Sequence, residues 1–551
     1  MEPPVPVVGS LQPMKRPLPS VSRARRLPAV LVALGLLATT PSAAQDPFQP
    51  GMRWVHGAPL SAPWLPADLT FAAGGELVWA SGFPGEARLM VLASPDAGVV
   101  EPLFEDFTLG PVTGTLKVCA GASPSQLFAL AQYPVTGSAA RRTQISRRDA
   151  LAAAEGQPLE PIWTRDLALV ANGPALFACD ALGERVVAAA WDDIGARVHV
   201  TWLDGADGVP LREVQYAAPP LTALALSADG SRLALAAGSV LRIFDAQGNL
   251  IHSELLPSPT PTLALSADGG RVIVARFDRL AVLDEIGGAY IEVAEHAGLA
   301  GELAMRCAVA AEGSTYAVGW WDYVSGTGVR LETYDGVSHQ RVHEFVQQGS
   351  SAGLQNSPQA VVVSADGRRV AFGCWGAGDA RPELILVDMG QAQPLLEVDL
   401  PGSVLGLSLD ADGAGVALAA KNLHANQVGS TGEVRRYDTG ERDLAILAPP
   451  LAGGSLELAA RAPGSGWCLF LLGRRAATPT VFPGVTGSLA LDRQARLRVF
   501  PRSVGPGGRA DLVLPLPDHP ALLGLDLSAQ AFFRGSGGSS FTLVVVDPLI
   551  L

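Results

Sequence analysis

LALSADGSRLALAA, residues Leu224–Ala237, sets an apolar run, a four-residue polar turn and a second apolar run in fourteen positions. The same string returns as LALSADGGRVIVAR at Leu263–Arg276 and VVVSADGRRVAFG at Val361–Gly373. Looser copies read LSLDADGAGVALAA at Leu407–Ala420, CAVAAEGSTYAVGW at Cys307–Trp320 and FACDALGERVVAAA at Phe177–Ala190. Aligned on the first apolar residue after the turn, the copies start at Leu77, Leu127, Val186, Leu233, Val272, Tyr316, Val370 and Val416. Three residues before each stands a glycine (Gly74, Gly183, Gly230, Gly269, Gly313, Gly367, Gly413), except for Pro124 in the second copy. Glycine takes the positive φ that a tight hairpin demands, so each copy reads as two antiparallel strands. The flanking Val, Leu and Ala predict strands buried between neighbouring sheets.

A third strand ends six of the copies on aspartate: HVTWLD at Asp204, VLRIFD at Asp245, LAVLD at Asp284, VRLETYD at Asp335, ELILVD at Asp388 and EVRRYD at Asp438. An aspartate at that place opens a turn by accepting bonds from nearby backbone N–H groups. A weaker fourth strand follows, as in NLIHSELL at Asn249–Leu256 and PLLEVDL at Pro394–Leu400. The copies recur every 39 to 59 residues, near the ~40–50 of propeller blades. With no amphipathic helical pattern, the expected fold is all-β: a seven- or eight-bladed β-propeller over residues 68–449, preceded by an extended segment, 45–67.

The S-A-D-G-x-R-L-A-L-A and L-R-I-F-D signatures resemble the WD40-like and YVTN-type propeller repeats of bacterial secreted proteins, over Asp68 to Pro449. The copies lack the Gly-His dipeptide of true WD40 repeats, so that family's structural tetrad does not carry over. Such repeats imply a fold and are nearly silent on function. From residue 450 to 551 alternating apolar residues between Gly and Pro predict a small β-sandwich. The stretch Leu514–Ala531, LPLPDHPALLGLDLSAQA, resembles a β-rich C-terminal module of secreted proteins from planctomycete-type bacteria, with no catalytic role implied.

Residues 1–44 read as a secretory signal. Arg23, Arg25 and Arg26 precede an apolar run from Leu27 to Ala38, shorter than the ~20 residues of a spanning helix, and Ser42 and Ala44 are the small residues before a cleavage point at Gln45. Met14, followed by Lys15 and Arg16, is an alternative start. The expectation is a secreted, periplasmic or cell-surface monomer with no membrane span after cleavage. A net charge of −13 argues against nucleic acid, which needs clustered cations. Cys119, Cys179, Cys307, Cys374 and Cys468 are far apart and lack CxxC spacing; they read as small buried strand residues, although one or two bridges could form in an oxidising compartment.

Each candidate for chemistry has a plainer reading. Asp410-Ala-Asp412-Gly413 has the start of a calcium loop but lies in register with Ser227-Ala228-Asp229-Gly230 and lacks later acids. Gly349–Gly353 fits G-x-S-x-G without the strand and helix of a nucleophile elbow. His339 and His343 would share a helix face, but on a strand they stand about 13 Å apart. The strands that would line a channel read LTFAA, LKVCA, LFACD, LTALALS, TLALS, MRCAV, QAVVVS and VLGLSL, with Lys117, Arg306 and Asp180 as their charges. No catalytic residue, metal or cofactor is expected.

The most suggestive group lies after the second strands: Trp191-Asp192, Trp320-Trp321-Asp322-Tyr323 and Trp375. Such loops emerge on one face of a propeller, where Trp, Tyr and carboxylates suit stacking on sugars or anchoring a protein; the competing reading is local packing. The sequence thus points to a non-catalytic binding or scaffolding protein recognising a protein or glycan. A channel-centred, lactonase-like hydrolase or lyase is the alternative, and a surface-layer or matrix component a third.

Overall fold

The computed structural model describes residues 50–542, apart from 58–63, 73–76, 84–87, 93–97, 100–103, 107–111, 113–115, 124, 138–140, 151–158, 172, 348–354, 377–380, 412, 425–426, 428–430, 441–443, 449–452, 462–465, 483–484, 486–487, 493–496, 506–507, 520–526 and 536–537. Residues 1–44, read above as a signal, the G-x-S-x-G stretch and the C-terminal residues 543–551 lie outside the described residues. Every regular element among those described is a strand, and the sheets are mostly four-stranded and antiparallel. No helix is long and apolar enough to cross a membrane.

Each aligned copy forms one sheet, here called a repeat. The fourth repeat shows the pattern: Leu221–Leu226, Arg232–Ala237, Val240–Asp245 and Leu250–Leu255 pair in chain order. The other first strands are Leu65–Ala72, Leu116–Ala120, Ala175–Cys179, Thr262–Leu265, Glu302–Val309, Pro358–Val363 and Val404–Leu409. They match the eight segments expected to be innermost; Leu65–Ala72 and Glu302–Val309 start earlier than read, which adds Asp68 and Glu302 to Lys117 and Arg306, while Asp180 falls just past the end of its strand.

The S-x-D-G turn is held by its own side chains. Ser266 Oγ donates to Asp268 Oδ1 at 2.7 Å and accepts the Arg271 N–H at 2.9 Å, while Asp268 Oδ1 also accepts the Gly270 N–H at 2.9 Å. Ser227 and Asp229, and Ser364 and Asp366, repeat the arrangement. In the third repeat Asp180 stands in for the serine and accepts the Glu184 and Arg185 N–H groups directly. Gly183, Gly230, Gly269, Gly313, Gly367 and Gly413 all have φ between 65° and 74°, a region costly for residues with a Cβ. Asp204, Asp245, Asp335 and Asp388 act as read, as where Asp245 Oδ1 accepts the Gln247 and Asn249 N–H groups at 2.9 and 2.8 Å, whereas Asp284 pairs with Arg271.

Because both sheet faces are covered, second strands are apolar through most of their length, with their charges at the strand ends. Val186, Ala188 and Ala190 pack with Phe128, Leu130 and Leu167 of the second repeat, while Val187 and Ala189 pack with Leu233, Leu235 and Phe244 of the fourth. Eight such cores separate successive repeats, the last joining Trp54, Leu69, Val78 and Met90 to Ala417, Ala419 and Val434. Each first strand lies beside that of the next repeat, and Val404–Leu409 lies beside Leu65–Ala72. Pro50–Gly57, within the segment read as an extended lead-in, pairs antiparallel with Gly432–Thr439 and so adds a strand to the eighth repeat.

After the eighth repeat, Leu444–Ala448, Ser455–Arg461 and Arg509–Pro515 form one sheet, and Arg498–Ser503, Gly466–Gly473, Ser528–Gly535 and Gly538–Phe541 another. Leu456, Leu458 and Leu512 of the first share a core with Phe470, Ala531 and Phe533 of the second.

The turn chemistry generates a test. Ser266→Ala leaves the Arg271 N–H without its acceptor and should cost about 1–2 kcal/mol in urea unfolding. Its hydroxyl, with the Gly270 N–H, also holds the Asp268 carboxyl below the usual carboxylate range. That part of the stabilisation is full above the unfolded value of about 4 and is lost as pH falls through the folded one. The difference between wild type and Ser266→Ala should therefore narrow below about pH 4.

Candidate recognition face

In four repeats the end of the second strand, or the turn just after it, is stitched to the segment that enters the first strand of the same repeat. Trp191 N donates to Pro174 O at 3.1 Å, Tyr323 N to Gly301 O at 3.0 Å, Trp375 N to Ser357 O at 3.0 Å and Lys421 N to Ser403 O at 3.0 Å. These turns and connections thus share one edge of the sheets, the edge on which the sequence places its Trp-rich group.

That group divides on inspection. Trp320 is 0% exposed, so it is not a rim residue as expected from sequence but core, packed with Leu280, Val282 and Tyr316. A Cβ on Gly298 would meet its ring at 2.9 Å. Trp191 is half-buried; its ring covers Gly173 and its Nε1 donates to Ala218 O at 3.2 Å, tying the third repeat to the segment entering the fourth. Trp321 packs on the core between the sixth and seventh repeats, and Trp375 lies under Lys421, whose Nζ is 5.6 Å from the ring centroid. The carboxylates are occupied locally: Asp192 Oδ1 accepts the Ile194 N–H, and Asp322 accepts Val324 N, Ser325 N and Ser325 Oγ. Burial alone would raise the Asp322 value, but the Ser325 and Val324 donors outweigh it and hold the carboxyl low. Of the named residues, Tyr323 is the exposed one, at 50%.

Tyr323 stands in an apolar patch that sequence reading passed over. Val324 is 76% exposed, Leu299 64% and Phe277 47%. Phe277 O accepts the Ala304 N–H at 2.8 Å, Asp278 O accepts Gly298 N at 2.8 Å, and Val324 Cγ2 lies 2.8 Å from where a Gly301 Cβ would be. The segment 298–304 therefore gathers residues of the fifth and sixth repeats around one spot. Their signal in the sequence was weak: one large apolar residue in each of the short stretches Arg276–Arg279 and His296–Glu302, beside charge or glycine.

Beneath the patch is a buried charged network. Arg330 Nε reaches Glu302 Oε1 and Oε2 at 3.0 and 3.1 Å, and its Nη1 pairs with Glu332 Oε1. Glu332 accepts from Trp320 Nε1 at 2.6 Å, Tyr334 OH at 2.7 Å and Arg341 Nη1 at 2.7 Å. Burial opposes the charge on Glu332, but these donors and the Arg330 guanidinium hold its carboxyl below the usual range. Glu302 Oε2 also accepts the Leu299 N–H at 2.8 Å, so the network fixes the patch backbone from below.

The remaining candidates stay apart. His339 Nδ1 lies 3.1 Å from the Tyr316 hydroxyl, whereas His343 stacks with Phe345. Among the described residues no three His, Cys, Asp or Glu side chains gather as metal ligands. On the first strands Lys117 pairs with Asp68 at 3.6 Å, and Arg306 Nε donates to Gln359 O at 2.6 Å. All five cysteines are free thiols, and burial pushes Cys307, Cys374 and Cys468 up to about 12. No family model matches the chain, and no curated protein matches it in sequence.

Trp320→Phe keeps an aromatic ring but strips a donor from buried Glu332, and should cost about 1.5–3 kcal/mol in urea unfolding. Tyr323→Ser should stay within about 0.5 kcal/mol of wild type. Equal losses would put both residues in one structural class.

Proposed function

We propose that this chain is a secreted, non-catalytic recognition protein, an eight-bladed β-propeller with a C-terminal β-sandwich, which grips a protein partner through the apolar patch on its fifth and sixth repeats. The fold reading is supported by first strands that neighbour one another in order, the eighth beside the first, and by the lead-in strand Pro50–Gly57 hydrogen-bonded into the last repeat. Such an exchange ties one end of the array to the other. The sandwich reading is supported by the core shared between the two C-terminal sheets. Secretion rests on residues 1–44, whose charged, apolar and small-residue regions follow the order of a signal.

The patch carries the functional reading. Phe277, Leu299, Tyr323 and Val324 cluster on one edge, exposed, over a rigid and fully paired charged base. Exposed apolar residues gathered on one edge, two of them aromatic, favour protein association. A sugar would instead need free polar partners beside the ring, and Asp322 is already filled by its own loop. A channel-centred hydrolase is the weaker reading, because the charges on or just after the first strands are engaged with backbone or with other side chains.

The test compares the purified protein with a variant carrying Phe277→Ser, Leu299→Ser, Tyr323→Ser and Val324→Ser, each immobilised and exposed to proteins of the producing cell. The variant should keep its melting temperature and lose the specific partners of the wild type. Identical recovery by both would dismiss the patch, and turnover of lactone or ester substrates would revive the enzyme.

A further inference from the structure

A cleft of about 340 Å³ opens between the second and third repeats, lined by Leu167, Ala190, His199, Thr201, Glu213 and Gln215 together with the strand backbone at Val200 and Val214. It lies where the core between these repeats ends: Leu167 and Ala190 are the last members of that core. Two features make the space. The third repeat offers small Ala188 and Ala190 on this face, and the fourth strand of the second repeat slips register between Asp166 and Val170. An irregularity of this kind bends a strand away from its neighbour and re-aims side chains.

The four polar residues form a square. His199 stands opposite Gln215, and Thr201 opposite Glu213, on the two outer strands of the third repeat. Alternation puts all four on the face toward the second repeat, while Val198, Val200 and Val214 turn to the other core. Among the described residues, His199, Thr201 and Glu213 make no side-chain hydrogen bond or ion pair within the protein, although Thr201 is only 8% exposed. Gln215 Oε1 has one long contact, 3.5 Å from Arg197 Nη1. A carboxylate, an imidazole, an amide and a hydroxyl thus point at one space with their bonding capacity unspent.

We propose that this cleft is a binding site for a neutral saccharide of one or two rings. The volume sits at the low end of small-ligand sites, roughly 300–1,000 Å³. Purely apolar ligands would strip water from four polar groups and return nothing. Anions would face the uncompensated Glu213 carboxylate. A sugar meets both demands, since its hydroxyls would bridge Glu213, Thr201, Gln215 and His199 while the ring C–H face covers Leu167 and Ala190. The site is separate from the apolar patch of the fifth and sixth repeats and does not rest on it.

Saturation-transfer NMR and calorimetry with glucose, galactose, mannose, N-acetylglucosamine and the β1,4- and α1,4-linked glucose disaccharides test this on the intact protein. At least one sugar should bind at a single site in the millimolar range or tighter. Glu213→Ala and the near-isosteric Thr201→Val should each weaken it about tenfold or more, as loss of one well-placed hydrogen bond implies. The four-serine patch variant should bind the sugar unchanged. Absence of transfer to every sugar, or binding indifferent to Glu213→Ala and Thr201→Val alike, would overturn the assignment.

Discussion

The structure depends on one turn that closes itself and, in the same few atoms, fastens to its neighbour. Serine and aspartate lock the S-A-D-G loop, glycine lets the chain reverse, and the backbone then bonds outward. Asp229 N donates to Ala267 O, Ala267 N to Ala311 O, Ala311 N to Ala365 O and Ala365 N to Ala411 O. A strap of main-chain bonds therefore runs from turn to turn across five successive repeats. The small alanine permits the approach, and the arginine two residues after the glycine completes it. Arg271 Nη1 donates to Gly313 O at 2.7 Å, and Arg185 Nη1 to Gly230 O at 3.0 Å. A Cβ on Gly269 would sit 2.3 Å from Arg232 Cγ, and one on Gly413 2.6 Å from Arg369 Cγ. Glycine is demanded twice at one position, by φ and by the neighbour's side chain.

This double duty explains how much the sequence could tell. Within a repeat, strand, turn and third-strand aspartate are set by residues less than about twenty positions apart, and periodicity of apolar residues reports them directly. All eight second strands begin within a residue of the alignment positions Leu77 to Val416. Pairing across the chain is a different matter. Nothing local in Pro50–Gly57 names Gly432–Thr439 as its partner, because a strand edge is completed by backbone groups that every residue carries.

The site was legible in part for a related reason. Trp320-Trp321-Asp322-Tyr323 looks uniformly like a rim when read as composition. Strand alternation splits it, sending Trp320 inward to Glu332 and leaving Tyr323 in the turn beyond. The deciding partner, Glu332, is one charge on a strand of alternating apolar and polar residues, and its meaning appears only once Glu302, thirty residues earlier, lies beside the same Arg330. The cleft at His199 and Glu213 was likewise invisible, since ordinary alternating polar residues become a site only where a register slip in the adjacent repeat uncovers them.

The charged base of the apolar patch also has a logic that stability alone does not supply. Burying Arg330 between Glu302 and Glu332 costs several kcal/mol of desolvation per ion, and well-packed apolar side chains would stabilise the interface about as well. What aliphatics cannot do is fix an exact backbone position at the surface. Glu302 can, because one oxygen accepts the Leu299 N–H while the carboxylate is clamped by a guanidinium that Glu332 holds in turn. Rotating Leu299 out of place would break a bond to a buried charge, which is penalised far more than a shift between two apolar contacts. An exposed leucine so anchored is ordered before any partner arrives, and the entropy that ordering would otherwise take from binding is already spent in folding. On the proposed reading, the buried ions and the apolar surface are two parts of one device: the first would make the second rigid enough to be specific.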